Sequence, residues 1–240
     1  MSDSLPIIYR DAHLIAIHKP AGLLVHRTVL DRHETRFAVQ LLRDQIGRRV
    51  QPVHRLDRGT SGVLLFAFDA ATTRSLGEQF ARNEVRKTYQ AVVRGWPPEA
   101  GTITHPLSRQ HDGRAIEPEA QDARTDYRRL ATVELPFAID RYPGSRYALM
   151  ALQPITGRRH QLRRHMKHIA HPIIGDATHG KGCHNRFFQQ HFGCHRRLLA
   201  CVEMRFRHPQ TGEDLTIGAP LGDQFAELVE RLGWTEAASR

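Results

Sequence analysis

The stretch from Pro52 to Phe66 constrains the fold of this chain more than any other part of the sequence. It ends in Val63-Leu64-Leu65-Phe66, a short apolar run that is typical of a buried strand. Before that run, Asp57 lies between Arg55 and Arg58 in a polar turn, and a Gly-Thr-Ser-Gly segment follows whose backbone amides can face a ligand. Because a nearby cation stabilises the charged form of a carboxylate, we expect Asp57 to be ionised and available as a nucleophile or a base. An aspartate that only caps a turn before a strand fits the same residues.

The charge balance favours a polyanionic partner. The 240 residues include 35 Lys and Arg against 25 Asp and Glu, which gives a net charge of +10. Nucleic acid is the first candidate partner for a protein this basic. Nearly all of the positive charge comes from arginine, whose planar guanidinium can bind phosphate at two points and stack on bases. A GC-rich genome would also replace Lys by Arg, but it would not produce the net excess.

Composition is that of a globular protein. Hydrophobic residues make up 40% and charged residues 25% of the chain, as in ordinary soluble domains. No apolar run approaches the ~20 residues that are needed to span a bilayer. The three cysteines are too few for a disulfide scaffold, and the acidic N-terminus shows no secretory signal. We therefore expect a cytoplasmic protein without a membrane partner.

Hydrophobic periodicity predicts a strand-rich chain with a few helices. Strands are predicted at 7–9, 14–17, 63–66, 85–93, 125–134 and 145–153, with a further one that ends near 206. Helices are predicted over 34–46, from the capping residue Asp69 to about Arg82, within 156–169 and near 224–232. The polar segment 108–123 predicts a mobile surface loop, 176–197 a connection rich in glycine, histidine and arginine, and 208–213 a hairpin turn.

Five motifs, in this order along the chain, resemble the RluA-type pseudouridine synthases. The run His54-Arg55-Leu56-Asp57-Arg58-Gly59-Thr60-Ser61-Gly62 is similar to the catalytic signature of that family, and Asp57 falls on its essential aspartate. The other four are Lys19-Pro20-Ala21-Gly22, Lys87-Thr88-Tyr89, Thr156-Gly157-Arg158-Arg159-His160-Gln161-Leu162-Arg163 and His208-Pro209-Gln210-Thr211-Gly212-Glu213. The resemblance implies an α+β fold with a mixed, mainly antiparallel sheet, flanking helices and a central basic cleft. It also implies one catalytic domain over 1–240 with no separate N-terminal RNA-binding domain.

The resemblance implies an enzyme that isomerises uridine to pseudouridine in RNA with neither a metal nor an organic cofactor. Asp57 would attack C1′ of the ribose or take a proton from C2′ through a glycal, and the sequence does not choose between these routes. Tyr89 would stack on the displaced uracil and help to remove the C5 proton, although a tyrosine that faces the core from a strand is the alternative. Arg163 would pair with Asp57 and keep it charged and oriented.

Basic residues near these motifs are predicted to contact RNA, and for each of them a solvated surface position is the alternative. They are Arg55, Arg58, Lys87, Arg158, Arg159, His160, Arg164 and Lys167.

Within the family, the segment 156–165 and a series that begins at Gly175-Asp176 are most similar to the branch that modifies uridine 65 of tRNA. Ribosomal RNA is the rival substrate, and a non-catalytic RNA-binding protein on the same scaffold is the other alternative. No protein partner is implied.

Many histidines and the three cysteines lie in the C-terminal half of the chain, and these residue types are potential metal ligands. This half contains no Cys-x2-Cys pair and no set with the spacing of structural zinc ligands, so no metal is predicted. The chain departs from the family at Leu199-Ala200-Cys201, where Leu-His-Ala is usual. The missing imidazole leaves Asp57, Tyr89 and Arg163 untouched.

Overall fold

The structure is a computed structural model, and it describes residues 4–27, 34–108, 110–111, 114–115 and 120–239. Contacts between Cα atoms divide the chain into two compact units. The first unit comprises Met1–Lys87 and Cys201–Leu221, and the second comprises Thr88–Ala200 and Gly222–Arg240. That these units make up the single domain predicted from the sequence stays a prediction, as does the central basic cleft.

The described residues form twelve strands and six helices. The strands are β1 (Ile7–Arg10), β2 (Leu14–Lys19), β3 (Gln51–Pro52), β4 (Ser61–Ala67), β5 (Arg86–Arg94), β6 (Ala100–Ile103), β7 (Gln110–His111), β8 (Arg114–Ala115), β9 (Thr125–Leu135), β10 (Ser145–Pro154), β11 (Leu199–Arg207) and β12 (Asp214–Gly218). The helices are α1 (Ala38–Ile46), α2 (Ala70–Ala81), α3 (Gln161–His168), α4 (Gly182–Phe192), α5 (Asp223–Arg231) and α6 (Thr235–Ala238).

The sheet of the first unit is built around β4. Its strand order is β1-β2-β4-β11, with β12 paired to β11 and the short β3 paired to β4. All seven residues of β4 are buried, which agrees with the continuous apolar run in the sequence. Strands β2 and β4 are antiparallel, with Ile17 opposite Leu64. The loop that carries Asp57 therefore leads directly into the most buried strand of this unit.

The sheet of the second unit has the order β5-β10-β9-β6, and its neighbours are antiparallel. Helix α3 lays Leu162 and Met166 on an apolar cluster that includes residues of β5 and β10. Leu162 and Met166 are four residues apart and so lie on one face of the helix. This packing fixes the helix that carries Arg163. The mixed, mostly antiparallel sheet with helices agrees with the predicted α+β class.

Local signals predicted several elements correctly. Asp11 accepts hydrogen bonds from the amides of His13 (2.6 Å) and Leu14 (2.7 Å), which closes the turn between β1 and β2. Asp69 caps α2 by accepting from the amide of Thr72 at 2.8 Å. The turn at 208–213 joins β11 to β12 as a hairpin.

Helix α3 spans Gln161–His168, within the predicted range 156–169, and follows a turn in which His160 has a left-handed backbone with φ 54°. Two predictions differ from the structure. Helix α1 begins at Ala38 and not near 34, because the extended backbone of Phe37 bridges to Leu24. The predicted connection 176–197 is wrong in its middle, where α4 buries Phe188 against Tyr147. The polar His, Asn, Arg and Gln residues of α4 hide this apolar contact in the sequence. Seven of the sixteen residues of the predicted mobile loop 108–123 lie outside the described residues.

Candidate active site

Asp57 lies in the loop between β3 and β4, and its side chain is partly exposed. The residues beside it anchor the loop, since Leu56 is 5% and Thr60 is 2% exposed. The amide of Thr60 donates to the carbonyl of Asp57 at 3.0 Å, which closes the turn after it. Arg55 and Arg58 are exposed. The carboxylate is therefore carried by a turn with fixed ends, and two predicted RNA contacts flank it.

The first motif, Lys19 to Gly22, braces the Asp57 loop. Lys19 is fully buried, and its Nζ donates to the carbonyls of Pro20 (2.8 Å), Leu23 (2.7 Å) and Arg58 (3.3 Å). The amide of Gly22 donates to the carbonyl of Arg58 at 2.8 Å, and Arg58 Nε donates to the carbonyl of Gly22 at 3.0 Å. Carbonyl oxygens replace the water that a buried ammonium loses. The sequence did not identify Lys19 as a site residue, and the structure makes it a brace for the backbone next to Asp57.

The second glycine of the Gly-Thr-Ser-Gly segment allows β4 to approach β11 closely. Gly62 has φ +110°, and a Cβ atom there would lie 2.0 Å from the carbonyl oxygen of Cys201. Only glycine fits both the backbone conformation and the space. Ala200, where the family usually has histidine, is fully buried.

His54 and Lys87 pack on the same aromatic ring. The imidazole of His54 stacks on Phe80 with centroids 5.3 Å apart, and its Nε2 accepts from the amide of Leu65 at 3.1 Å. Burial, with the positive charge of Lys87, lowers the pKa of His54 to about 3, so the imidazole is neutral. Lys87 Nζ lies 5.7 Å from the Phe80 centroid, and burial lowers the pKa of Lys87 too. His54 thus has a structural role, and Lys87 is less accessible than a solvated RNA contact.

Tyr89 is a partly buried residue of β5. It lies opposite Leu152 of β10 and packs against the apolar cluster that holds α3. The structure therefore shows the packing alternative in part. Its predicted contact with uracil stays a prediction.

Arg163 forms a buried ion pair with Asp176. Its Nε donates to Asp176 Oδ2 at 2.6 Å and its Nη2 donates to Oδ1 at 2.9 Å. The side chains of Arg163 and Asp176 are 4% and 0% exposed, and Arg197 Nε lies 3.7 Å from Oδ2. Burial alone would raise the pKa of Asp176, but the hydrogen bond from Arg163 and that from the amide of His179 hold it well below its usual range. The sequence did not identify this partner.

The turn before α3 is held by the side chain of Gln161, which is only 4% exposed. Its Oε1 accepts from the Thr156 hydroxyl (2.7 Å) and the Arg158 amide (3.0 Å). Its Nε2 donates to the Arg124 carbonyl (2.9 Å) and the Thr125 hydroxyl (3.0 Å). One amide side chain thus ties the basic turn to the start of β9.

The predicted RNA contacts around α3 differ in accessibility. Arg158, Arg159 and Lys167 are exposed, and Arg158 Nε donates to the carbonyl of Asp122 at 3.0 Å. Arg164 is half-buried and donates to the backbone carbonyl (2.9 Å) and hydroxyl (3.3 Å) of Ser108. His160 is partly exposed too. The structure therefore presents Arg158, Arg159 and Lys167 to solvent and uses Arg164 to hold residue 108.

The predicted catalytic residues are distributed over both units. Asp57 belongs to the first unit, and Tyr89 and Arg163 belong to the second. The pairing of Arg163 with Asp57 stays a prediction.

Several histidines of the C-terminal half have protein partners. Within the described ranges, no three His, Cys, Asp or Glu side chains are arranged to hold a metal ion. His165 is fully buried, with Nδ1 3.0 Å from the Thr125 hydroxyl and Nε2 2.9 Å from the His105 carbonyl. His184 Nδ1 lies 2.8 Å from the Tyr147 hydroxyl.

Among the residues that the structure describes, no helix combines the length and the apolar character needed to cross a membrane.

Known proteins resemble this chain in sequence and in structure. It is 50% identical over 238 residues to tRNA pseudouridine synthase C of Vibrio cholerae, an alignment that covers 97% of this chain and 98% of that protein. It is 49% identical to the protein of the same name from Yersinia pestis, over 98% of this chain and 93% of the relative. The solved structure of Human RNA Pseudouridylate Synthase Domain Containing 4 has a TM-score of 0.71 and 26% identity, over 95% of this chain and 93% of that one.

A second solved structure, Human RNA Pseudouridylate Synthase Domain Containing 1, also has a TM-score of 0.71, with 25% identity over 91% of this chain and 84% of that one. These likenesses confirm the pseudouridine synthase fold. Residues 13–168 match the family described as RNA pseudouridylate synthase, and this range includes Asp57, Tyr89 and Arg163. The chain therefore belongs to the RNA pseudouridylate synthase family.

Proposed function

We propose that this protein isomerises uridine to pseudouridine in tRNA, in the cytoplasm, with uridine 65 as its target. The proposal is carried by the identity of about half over nearly the whole chain with relatives named tRNA pseudouridine synthase C. The same alignments favour this function over a non-catalytic RNA-binding protein. The net charge of +10 suits a polyanionic substrate.

Asp57 is the proposed catalytic carboxylate. Breaking the bond from N1 of uracil to C1′ develops positive charge on the sugar, which a carboxylate can stabilise. The uracil then turns and rejoins the ribose through C5, so the C5 proton must leave. Asp57 attacks C1′ or removes the C2′ proton, and both routes balance without a cofactor. The bracing of the adjacent Arg58 carbonyl by Lys19 supports a carboxylate that is held in place before the RNA binds.

Tyr89 and Arg163 complete the proposed catalytic set. The ring of Tyr89 would stack on the displaced uracil, and its hydroxyl would assist the loss of the C5 proton. Arg163 would stabilise the charged form of Asp57 through a charge-assisted hydrogen bond. Its ion pair with Asp176 supports a guanidinium of fixed orientation.

The target uridine must leave its stack to reach these groups. Extruding a nucleotide costs a few kcal/mol, and contacts between exposed arginines and phosphates offset that cost. The exposed candidates are Arg55, Arg58, Arg158, Arg159 and Lys167. RNA binding should therefore weaken steeply with salt.

Position-resolved mapping of pseudouridine tests the proposal. An unmodified tRNA transcript incubated with the protein should gain a single pseudouridine, at position 65, and a transcript with cytidine at that position should gain none. Conversion of ribosomal RNA but not of tRNA would contradict the substrate. Binding of tRNA without any conversion would contradict the catalytic assignment.

A further inference from the structure

We propose that Asp176 is a positioning residue for Arg163, and that its bidentate ion pair sets the direction in which the guanidinium faces the reacting RNA. This inference rests on the proposed function, since it assigns Asp176 a part in the same reaction. Asp176 itself would touch neither the uracil nor the ribose.

The geometry of the pair fixes an orientation as well as a distance. One edge of the Arg163 guanidinium is joined to the Asp176 carboxylate by two hydrogen bonds. Nε of Arg163 donates to Oδ2 at 2.6 Å, and Nη2 donates to Oδ1 at 2.9 Å. A single contact would leave the planar group able to rotate, whereas two parallel contacts define its plane. Because these two bonds use the edge formed by Nε and Nη2, they turn the opposite edge of the guanidinium away from the carboxylate.

Asp176 is itself held by its own loop. Its Oδ1 accepts from the amides of Thr178 and His179, both at 3.0 Å. Its backbone carbonyl accepts from the Asn185 side chain at 2.9 Å and from the Gly180 amide at 3.0 Å. The carboxylate therefore has a fixed position that does not depend on Arg163.

Glycine precedes Asp176 for a steric reason. Gly175 has φ +78°, and a Cβ atom there would lie 2.0 Å from the carbonyl oxygen of Arg196. The amide of Gly175 donates to Asn185 Oδ1 at 2.8 Å. The close approach of Gly175 to Arg196 and its hydrogen bond to Asn185 together fix the backbone that carries the Asp176 carboxylate.

A purely structural role does not require this ion pair. Well-packed apolar side chains of similar volume stabilise a protein as well as a buried ion pair, or better, because burying two charges costs solvation energy. An apolar pair cannot orient a cation, whereas the carboxylate of Asp176 orients the guanidinium of Arg163. The buried charge is therefore better explained by the direction of the guanidinium than by stability.

The first variant is Asp176→Asn, which keeps the size of the side chain and an acceptor for the loop amides. We expect the single-turnover rate of pseudouridine formation to fall about 10- to 100-fold, as for the loss of a hydrogen bond between charged groups. The affinity for tRNA should be nearly unchanged. The matched control is Asp140→Asn, which makes the same change in a different ion pair, that with Lys181, and should leave the rate nearly unchanged.

A double variant separates positioning from general weakening of the fold. If Asp176 acts through Arg163, adding Asp176→Asn to an Arg163→Met variant should cause no further loss of rate. A loss in the double variant equal to the sum of the single losses would overturn the proposal. So would an Asp176→Asn protein that loses stability but keeps the rate of the unmodified chain.

A second substitution keeps the idea testable should Asp176→Asn fail to fold. Arg163→Lys retains the charge opposite Asp176 but replaces a planar fork by a single ammonium. We expect it to fold, to bind tRNA and to react slowly, and a normal rate would overturn the role of orientation. If the unmodified protein forms no pseudouridine at all, it is the proposed function that fails and not the role of Asp176.

Discussion

Replacing Gly62 by alanine should be among the most damaging small substitutions in this protein. The added methyl group would point at the backbone of Cys201, with its Cβ 2.0 Å from the carbonyl oxygen and 2.6 Å from the carbonyl carbon. Neither atom belongs to a flexible side chain that could move aside. Relief would require β4 to separate from β11, and β4 is the strand that follows the Asp57 loop.

The size of the effect follows from two contributions. A residue other than glycine at φ +110° costs about 1–3 kcal/mol, and overpacking a buried site typically costs a further 1–3 kcal/mol or more. The sum of about 2–6 kcal/mol is a large part of the 5–15 kcal/mol that usually stabilises a domain. We therefore expect Gly62→Ala to lose most of the free energy of unfolding or to fail to fold.

Urea denaturation followed by circular dichroism measures this loss, and Gly47→Ala is the matched control. Gly47 also has a left-handed backbone, with φ +64°, but nothing lies within 4 Å of the position that an added methyl group would take there. Its substitution should cost only about 1–2 kcal/mol. Equal losses in the two variants would refute the steric argument and leave only the backbone contribution.

Three further predictions concern the bracing of the loops and acid stability. Lys19→Met should lower the free energy of unfolding by about 1–3 kcal/mol and slow catalysis at unchanged tRNA affinity, because the Arg58 carbonyl loses its charged donor. Denaturation measures the loss of stability, and a single-turnover assay measures the rate. Gln161→Leu should raise KM for tRNA more than it lowers kcat, because the turn at Arg158 loses its tie to β9; an equal change in both would contradict this. Burial raises the pKa of Asp11, but its hydrogen bonds outweigh burial and lower the pKa to about 2. The free energy of unfolding that this carboxylate contributes is fully present above about pH 4, and it should fall by about 2 kcal/mol as the pH drops to 2. Asp11→Asn should flatten this part of the pH dependence, and an unchanged slope would be contrary evidence.

The elements that the sequence predicted correctly are those with a complete local signal. The helix that begins after Asp69 has its cap, its apolar positions and its end within one segment, and β4 is a continuous apolar run. Helix α1 was predicted four residues too early because the bridge between Phe37 and Leu24 depends on a distant part of the chain. Helix α4 was missed because its apolar contact depends on Tyr147, which lies in another element.

The site shows the same division between local and distant information. The motif around Asp57 identified the candidate carboxylate, but the contact of Lys19 with the Arg58 carbonyl joins residues 39 positions apart. The partner of Arg163 was not predicted either, although Gly175-Asp176 belongs to a series that resembles the family. No periodicity shows that one carboxylate beside a glycine meets a guanidinium on a helix. Such pairings follow only from tertiary packing.

The release of tritium from C5-labelled uridine in tRNA tests the central claim most directly. The unmodified protein should release tritium in step with the appearance of pseudouridine, because rejoining the base through C5 expels that proton. The Asp57→Asn protein should release none above background while binding the same tRNA with nearly unchanged affinity. Release at the normal rate by the Asp57→Asn protein would contradict the assignment of Asp57 as the catalytic carboxylate.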